Sequence, residues 1–185
     1  TRAALAWLTQ RDPTRPCFVY LHYMDVHAPY RAAEQYRAPR LAAVERLPNK
    51  RRLPANAYGL PPLSQEYLDD PRYEQLKDYA DFWQACYDAG VPQVDEHLGV
   101  LRDGLRGLRL WDNAWVILVA DHGEALGEHV AWGHGDTVYQ GELHVPLVLR
   151  WPGQLPAGTR ITPAVNLVDL LPTMLELLQL PVPTQ

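Results

Sequence analysis

The sequence contains very little serine and cysteine, and these two shortages exclude several classes of protein. Ser64 is the only serine among 185 residues. No Gly-x-Ser-x-Gly segment surrounds it, which excludes a serine hydrolase of the α/β-hydrolase type. Cys17 and Cys86 are the only cysteines and lie far apart in the sequence. They cannot form a zinc finger or a disulfide framework, so we expect two buried, unpaired thiols.

Further absences concern charge, hydrophobic runs and glycine motifs. No apolar run is long enough to span a bilayer, and a net charge of -5 argues against nonspecific nucleic-acid binding. We therefore expect neither a transmembrane segment nor a nucleic-acid partner. The glycine fingerprint of dinucleotide-binding folds and the His-Glu-x-x-His pattern of zinc proteases are also missing. With 47% hydrophobic residues, the chain can still bury a sizeable core.

The rest of the sequence alternates between strand-like and helical segments. Apolar, β-rich runs predict strands at 17–24, 115–120 and 146–151, and helical spacing predicts helices at 2–10, 72–109 and 166–180. Pro92 is expected to kink or split the second helix. Residues 28–71 are rich in proline and predict an irregular insertion, with at most a short helix near 41–46. This alternation favours one α/β domain with a mainly parallel sheet.

Polar residues follow two of the predicted strands. His27 comes after the first strand, on a segment where Pro29 disfavours helix, and Asp121 and His122 come directly after the second. Ligands of parallel α/β sheets bind at the carboxyl ends of strands. His134 lies between two glycines and is displayed on the loop that follows. These four residues predict a catalytic or metal site at that edge of the sheet.

The segment 119–146 carries further polar residues to which we assign structural roles. Glu124, Glu128 and His129 are expected on a short, solvated helix. The remaining histidines are expected to be structural or at the surface: His22, His97 and His144.

Five segments, in the order in which they occur, resemble the sulfatases of the alkaline phosphatase superfamily. They are FVYLHYMDVHAPY, YDAGVPQVDEHLGVL, DNAWVILVADHGEALGEH, WGHGDTVYQGELHVPLVLRWPG and VNLVDLLPTMLELL. The resemblance implies an alkaline-phosphatase-like three-layer αβα sandwich, of which residues 1–185 form part. It also implies the metal-assisted hydrolysis of a sulfate ester, with a sulfated small molecule or a sulfated sugar as the substrate.

The resemblance implies a role for each residue at the predicted strand ends. Asp121 and His122 stand where such enzymes hold one divalent metal ion, with calcium preferred and manganese, magnesium or zinc as alternatives. His27 resembles the residue that contacts the transferred group or protonates the leaving oxygen. His134 occupies the place of a residue that contacts sulfate oxygens. A cation and imidazolium groups suit this reaction, because they neutralise the charge that builds on sulfuryl oxygens.

The sequence departs from the family pattern at the nucleophile. Sulfatases use a formylglycine made from the first residue of a Cys/Ser-x-Pro-x-Arg motif, and no such motif surrounds Cys17, Cys86 or Ser64. The chain therefore resembles the carboxyl-terminal half of a sulfatase domain. We expect the formylglycine and the acidic metal ligands in the missing amino-terminal half, and no activity from this piece alone.

Two alternatives stay open beside the sulfatase hypothesis. The Asp-His pair also suits a phosphodiesterase, a phosphonate hydrolase or a phosphoryl transferase of the same superfamily, because phosphoryl transfer needs similar charge stabilisation. The other alternative is a non-catalytic domain that keeps the fold and binds a ligand or partner.

Overall fold

A computed structural model describes residues 1–183, which form seven helices and four short strands. The helices are α1 (Arg2–Gln10), α2 (Glu34–Arg46), α3 (Gln65–Leu68), α4 (Pro71–Glu74), α5 (Ala80–Gly107), α6 (Gln140–Leu143) and α7 (Leu170–Leu177). The strands are β1 (Val116–Val119), β2 (Ala125–Leu126), β3 (Trp132–Gly133) and β4 (Leu147–Arg150). None of the helices in this part of the chain is long and apolar enough to cross a membrane.

The amino-terminal half of α5 organises the core. Its buried face carries Phe82, Trp83 and Cys86, and α2 packs along it. We call the buried cluster around this face the aromatic core; it comprises Tyr30, Leu41, Val44, Tyr67, Tyr73, Leu76, Ala80, Phe82, Trp83, Ala85, Cys86 and Trp132. Its rings meet edge to face, as in the contact between Tyr67 and Phe82 at 6.1 Å and 87°. Such pairs add stability beyond the apolar area that they bury.

Two expectations about helices are wrong. The segment 28–71 is not irregular throughout, because α2 runs for 13 residues through Pro39 and buries Leu41 and Val44. Helix α5 is not split at Pro92 but continues for 28 residues. In both helices a proline removes one backbone hydrogen bond, and the apolar contacts between α2 and α5 outweigh that loss.

A small sheet lies apart from the aromatic core. Strands β1 and β4 pair antiparallel, with Val116 opposite Arg150 and Val119 opposite Leu147. We call this pair the open sheet, because apolar side chains on both strands are exposed, including Leu118, Val148 and Leu149. The second sheet pairs β2 with β3, also antiparallel. Both strand pairs within residues 1–183 are therefore antiparallel, whereas a mainly parallel sheet was predicted.

The strand predicted at 17–24 has no regular secondary structure and no ladder partner in the described part of the chain. A strand needs a neighbour for its N–H and C=O groups, and β1 pairs only with β4 among the described residues. The prediction of two buried thiols is half right: Cys86 is buried, whereas Cys17 is exposed. Both are free.

Candidate functional site

The loop that carries His27 is held against α5. Gly90 makes this close approach feasible, because a Cβ at that position would lie only 2.3 Å from the carbonyl oxygen of Asp25. The side chain of Gln93, one turn further along, donates to the Asp25 carboxylate. Helix α5 thereby fixes the backbone that leads into His27.

A second loop, after β1, carries Asp121 to Glu124. Gly123 lets this loop pass close to α6, since a Cβ there would lie 2.0 Å from the carbonyl oxygen of Gly141. The Gly123 N–H donates to the carbonyl oxygen of Glu142 at 2.7 Å. The strand end and the α6 segment are thus locked together beside the histidines.

These two loops and the loop after β3, which carries His134, bring three of the four predicted site residues together. His27, His122 and His134 each place one ring nitrogen within 4.8 Å of the others. The rings of His122 and His134 stack with centroids 3.9 Å apart, and the ring of His27 meets that of His134 edge to face at 5.0 Å. All three are partly buried. Residues separated by more than 100 positions therefore form a single imidazole cluster, which we call the histidine cluster.

Each ring of the histidine cluster is oriented through its Nδ1 atom. Nδ1 of His27 lies 2.6 Å from the carbonyl oxygen of Ala28, and Nδ1 of His122 lies 2.8 Å from that of Gly123. Carbonyl oxygens only accept, so both Nδ1 atoms carry the proton and donate. Nδ1 of His134 lies 2.8 Å from the Glu124 carboxylate. The three Nε2 atoms are therefore left free to bind a ligand.

Asp121, the fourth predicted site residue, lies at the edge of the histidine cluster. Its side chain is 76% exposed, and its Oδ1 atom lies 3.9 Å from Nε2 of His122. The same oxygen accepts the backbone N–H of His122 at 3.1 Å. Asp121 and His122 can therefore contact one small ligand, but nothing else in the described residues fixes the carboxylate.

Glu124 has a structural role that the sequence did not predict. We expected it on a solvated helix, whereas only 4% of its side chain is exposed. Its carboxylate accepts from Nδ1 of His134 and, at 3.2 Å, from the hydroxyl of Tyr30. Burial and the neighbouring carboxylate raise the pKa of Tyr30 well above its ordinary value, so this hydroxyl stays protonated and donates.

Glu142 supports the loop that carries His134, a role that the sequence did not predict. It is buried, and it accepts from the hydroxyl of Thr137 and from the Gly135 N–H at 2.9 Å. These two donors, the hydroxyl of Thr137 first, hold the pKa of Glu142 below its ordinary value. The carboxylate therefore stays ionised and fixes the backbone next to His134.

The loop between β2 and β3 contains backbone strain outside the cluster. His129 and Val130 adopt φ angles of 54° and 60°, in the left-handed region that β-branched residues avoid. The His129 ring stacks on Tyr139 at 3.8 Å, so it supports the loop instead of joining the histidine cluster. The other histidines, His22, His97 and His144, also lie outside the cluster.

Comparison with known proteins identifies the family. A sequence profile of the family described as Sulfatase matches residues 1–180. The chain is 29% identical to the multifunctional alkaline phosphatase superfamily protein PehA of Trinickia caryophylli, over 95% of this chain and 36% of that protein. It is 26% identical to arylsulfatase K of Rattus norvegicus, over 99% of this chain and 34% of that protein. The chain thus spans about a third of the length of these relatives.

A solved structure has the same fold. BT4656, in complex with its substrate D-glucosamine-2-N,6-O-disulfate, superposes with a TM-score of 0.72 over 100% of this chain and 48% of that chain, at 19% identity. The predicted alkaline-phosphatase-like α/β fold is therefore confirmed as part of such a domain, although the pairing seen in residues 1–183 is antiparallel. The resemblance seen in the sequence is also confirmed. The chain belongs to the sulfatase family of the alkaline phosphatase superfamily.

Proposed function

We propose that this chain supplies one wall of the active site of a sulfuric ester hydrolase. The observation that carries the proposal is the convergence of His27, His122 and His134 in a chain of the sulfatase family. Residues of this kind stabilise a negatively charged sulfuryl group as its ester bond breaks. The substrate that we propose is a sulfated small molecule or a sulfated sugar.

Asp121 and His122 are the residues that we propose as metal ligands. An ion bound there would supply positive charge to the sulfuryl oxygens. The pair fits part of a metal site, because Oδ1 of Asp121 and Nε2 of His122 lie 3.9 Å apart and both are accessible. Calcium takes six to eight oxygen ligands, so calcium at this place needs several further oxygen donors. Manganese or zinc would accept the mixed carboxylate and imidazole pair more readily, whereas magnesium, like calcium, needs further oxygen donors.

His27 and His134 are the residues that we propose to contact the reacting group. The carbonyl oxygen of Ala28 accepts from Nδ1 of His27, so in the imidazolium form Nε2 carries the second proton, which the leaving oxygen takes. Glu124 accepts from Nδ1 of His134 in the same way, which leaves Nε2 free for a sulfuryl oxygen. Each imidazole is thus oriented before substrate binds.

The nucleophile belongs to a different part of the proposed site. No Cys/Ser-x-Pro-x-Arg segment occurs among the 185 residues. We propose that a formylglycine and the acidic metal ligands come from the amino-terminal half of the same domain. On this proposal the isolated chain does not hydrolyse an aryl sulfate, and turnover well above background by the chain alone would overturn it.

A second candidate function is phosphoryl chemistry, as a phosphodiesterase or phosphonate hydrolase. It is favoured by the match to PehA, a multifunctional member of the superfamily that aligns with 95% of this chain. Sulfuryl and phosphoryl groups place similar demands on charge stabilisation, so the histidine cluster serves either reaction.

The two functions are separated by an assay of the full-length protein that contains these residues. We expect it to hydrolyse a chromogenic aryl sulfate faster than an aryl phosphodiester. His27→Ala should lower kcat by about 10²–10⁴-fold, the usual contribution of a general acid. His129→Ala is the matched control and should leave kcat unchanged. Hydrolysis of the phosphodiester in preference to the sulfate would support the second candidate instead.

A further inference from the structure

The histidine cluster is arranged in a way that also suits the binding of a metal ion. Its ring nitrogens come from three separate loops, and each ring has its Nδ1 fixed by an oxygen acceptor: Ala28, Gly123 and Glu124. Histidines that bind metal ions are oriented in this way, since an acceptor at one ring nitrogen fixes the tautomer and directs the other nitrogen at the ion. The buried Glu124 adds a carboxylate behind His134, which makes that imidazole a stronger ligand.

The spacing of the ring nitrogens suits a single ion. Nitrogen ligands about 2.1 Å from a zinc ion lie at most about 4.2 Å apart. The ring nitrogens of the histidine cluster lie within 4.8 Å of one another, so small ring rotations bring them into range. His122 has room to turn, because 38% of its side chain is exposed. The stacked rings of His122 and His134 are already tilted by 27°.

The chemistry of the donors selects a class of metal ion. Three neutral imidazoles suit zinc, nickel or copper and offer calcium and magnesium no oxygen ligands. Three protein ligands also leave a further coordination position open on a tetrahedral ion. The pair Asp121–His122 differs from the histidine cluster in its preference among metal ions, because it offers a carboxylate oxygen beside an imidazole nitrogen.

We propose that His27, His122 and His134 form a binding site for one transition-metal dication of the zinc class. The site shares His122 with the Asp121–His122 pair but has otherwise different ligands. The proposal stands apart from the proposed function, since it requires only the geometry of the histidine cluster. If both hold, the zinc-class ion occupies the Nε2 atoms of His27 and His134, and it therefore inhibits the hydrolase.

The test is metal binding by the 185-residue chain prepared without a histidine tag. Titration with Zn²⁺ in a calorimeter should show one tight site per chain, and Co²⁺ should give the visible absorption of a nitrogen-ligated ion. His27→Ala and His134→Ala should each weaken Zn²⁺ binding by more than about 100-fold. Glu124→Gln should weaken it by about 10–100-fold, the usual effect of removing an outer-shell carboxylate. His129→Ala, a control at a histidine outside the cluster, should bind Zn²⁺ like the parent chain.

Circular dichroism of each variant identifies any that fails to fold. Should an alanine variant be unfolded, ring ¹⁵N shifts of the parent chain decide the question, because Zn²⁺ must move Nε2 of His27, His122 and His134. Unchanged Zn²⁺ affinity in folded His27→Ala and His134→Ala, or unmoved Nε2 shifts, overturns the proposal.

A further variant keeps this proposal distinct from the proposed function. Asp121→Ala should leave Zn²⁺ binding within a few-fold of the parent chain and should abolish any thermal stabilisation by Ca²⁺ or Mn²⁺. Loss of Zn²⁺ binding in Asp121→Ala, together with normal binding in His27→Ala, would place the ion at the Asp121–His122 pair and reject the three-histidine site. Survival of the Ca²⁺ or Mn²⁺ effect in Asp121→Ala would reject the metal ligands of the proposed function alone.

Discussion

The open sheet leads into one end of the loop that carries Asp121 to Glu124, and the aromatic core contacts the other end. The two regions differ in how completely they bury their side chains. The aromatic core encloses its side chains, so Tyr30 is 1% exposed and Phe82 is fully buried. The open sheet leaves Leu118 and Val148 at 37% and 53% exposure. Glu124 and His134, next to the core, are held by hydrogen bonds, whereas Asp121, at the end of β1, is 76% exposed. A candidate site residue next to the buried core is thus held by hydrogen bonds, and one at the end of the exposed sheet is left in solvent.

The largest expected difference between the two regions is in thiol reactivity. Cys17 is exposed on the segment 17–24 and should react with a thiol reagent without any opening of the structure. Cys86 is buried and reacts only when the core opens. Burial also raises the pKa of Cys86, which reduces its thiolate fraction further. We expect labelling rates that differ by about 1,000-fold or more, measured by mass spectrometry over time. Comparable rates would mean that the aromatic core opens as readily as the exposed segment.

The two phenylalanines of the chain give a matched comparison of packing. Phe82→Ala removes a fully buried ring and should lower the free energy of unfolding by about 3–5 kcal/mol. Phe18→Ala removes a ring that is 75% exposed and should change it by about 0.5 kcal/mol or less. Urea denaturation of both variants provides the measurement. Equal losses of unfolding free energy would show that the segment around Phe18 is packed in solution as firmly as the aromatic core.

The carboxylates at the two ends of the loop allow a similar comparison at smaller scale. Glu124→Ala leaves the Tyr30 hydroxyl buried without its acceptor and should cost about 1–3 kcal/mol of unfolding free energy. Asp121→Ala should cost about 0.5 kcal/mol or less, because its carboxylate is in water. The same denaturation experiment applies. A cost for Asp121→Ala as large as that for Glu124→Ala would indicate that the exposed carboxylate is fixed by contacts absent from this structure.

The smallest expected effect concerns pH. The pKa of Glu142 is lower in the folded chain than its ordinary value of 4.5, because Thr137 and Gly135 donate to the ionised carboxylate. Its contribution to stability is therefore complete above pH 4.5 and is lost as the pH falls through the lowered pKa. Glu142→Gln should lower the melting temperature at pH 7, and the deficit should shrink as the pH falls below 4.5. A deficit that does not change with pH would contradict this assignment.

The sequence predicted the parts of this molecule that depend on local pattern. Apolar periodicity predicted β1 and α5, although α5 begins at Ala80 and not at residue 72. Polar residues after strand-like segments pointed to His27 and His122, and the two flanking glycines pointed to His134. The roles of these residues and of Asp121 in catalysis and metal binding stay predictions. Pairing depends on partners distant in sequence, so the isolated state of 17–24 and the antiparallel open sheet could not be foreseen.

The role of Glu124 in the site could not be predicted from the sequence either. Its neighbours in sequence suggested a solvated helix, but both of its partners lie elsewhere, Tyr30 in another loop and His134 ten residues later. No spacing rule connects them. The one signal in the sequence was the glycine before it, since Gly123 allows the loop to lie close to α6 and turn Glu124 inward.

The hydrogen bond between Tyr30 and Glu124 also has a consequence for the order of folding. It joins positions 94 apart in the sequence, and contacts so distant must overcome the entropy of closing a long loop before they contribute stability. His134 shares the same carboxylate, but that contact spans only ten residues and forms without closure of the long loop. The acceptors that orient the three imidazoles are all near them in sequence, whereas the convergence of His27 with His122 and His134 requires the long loop to close.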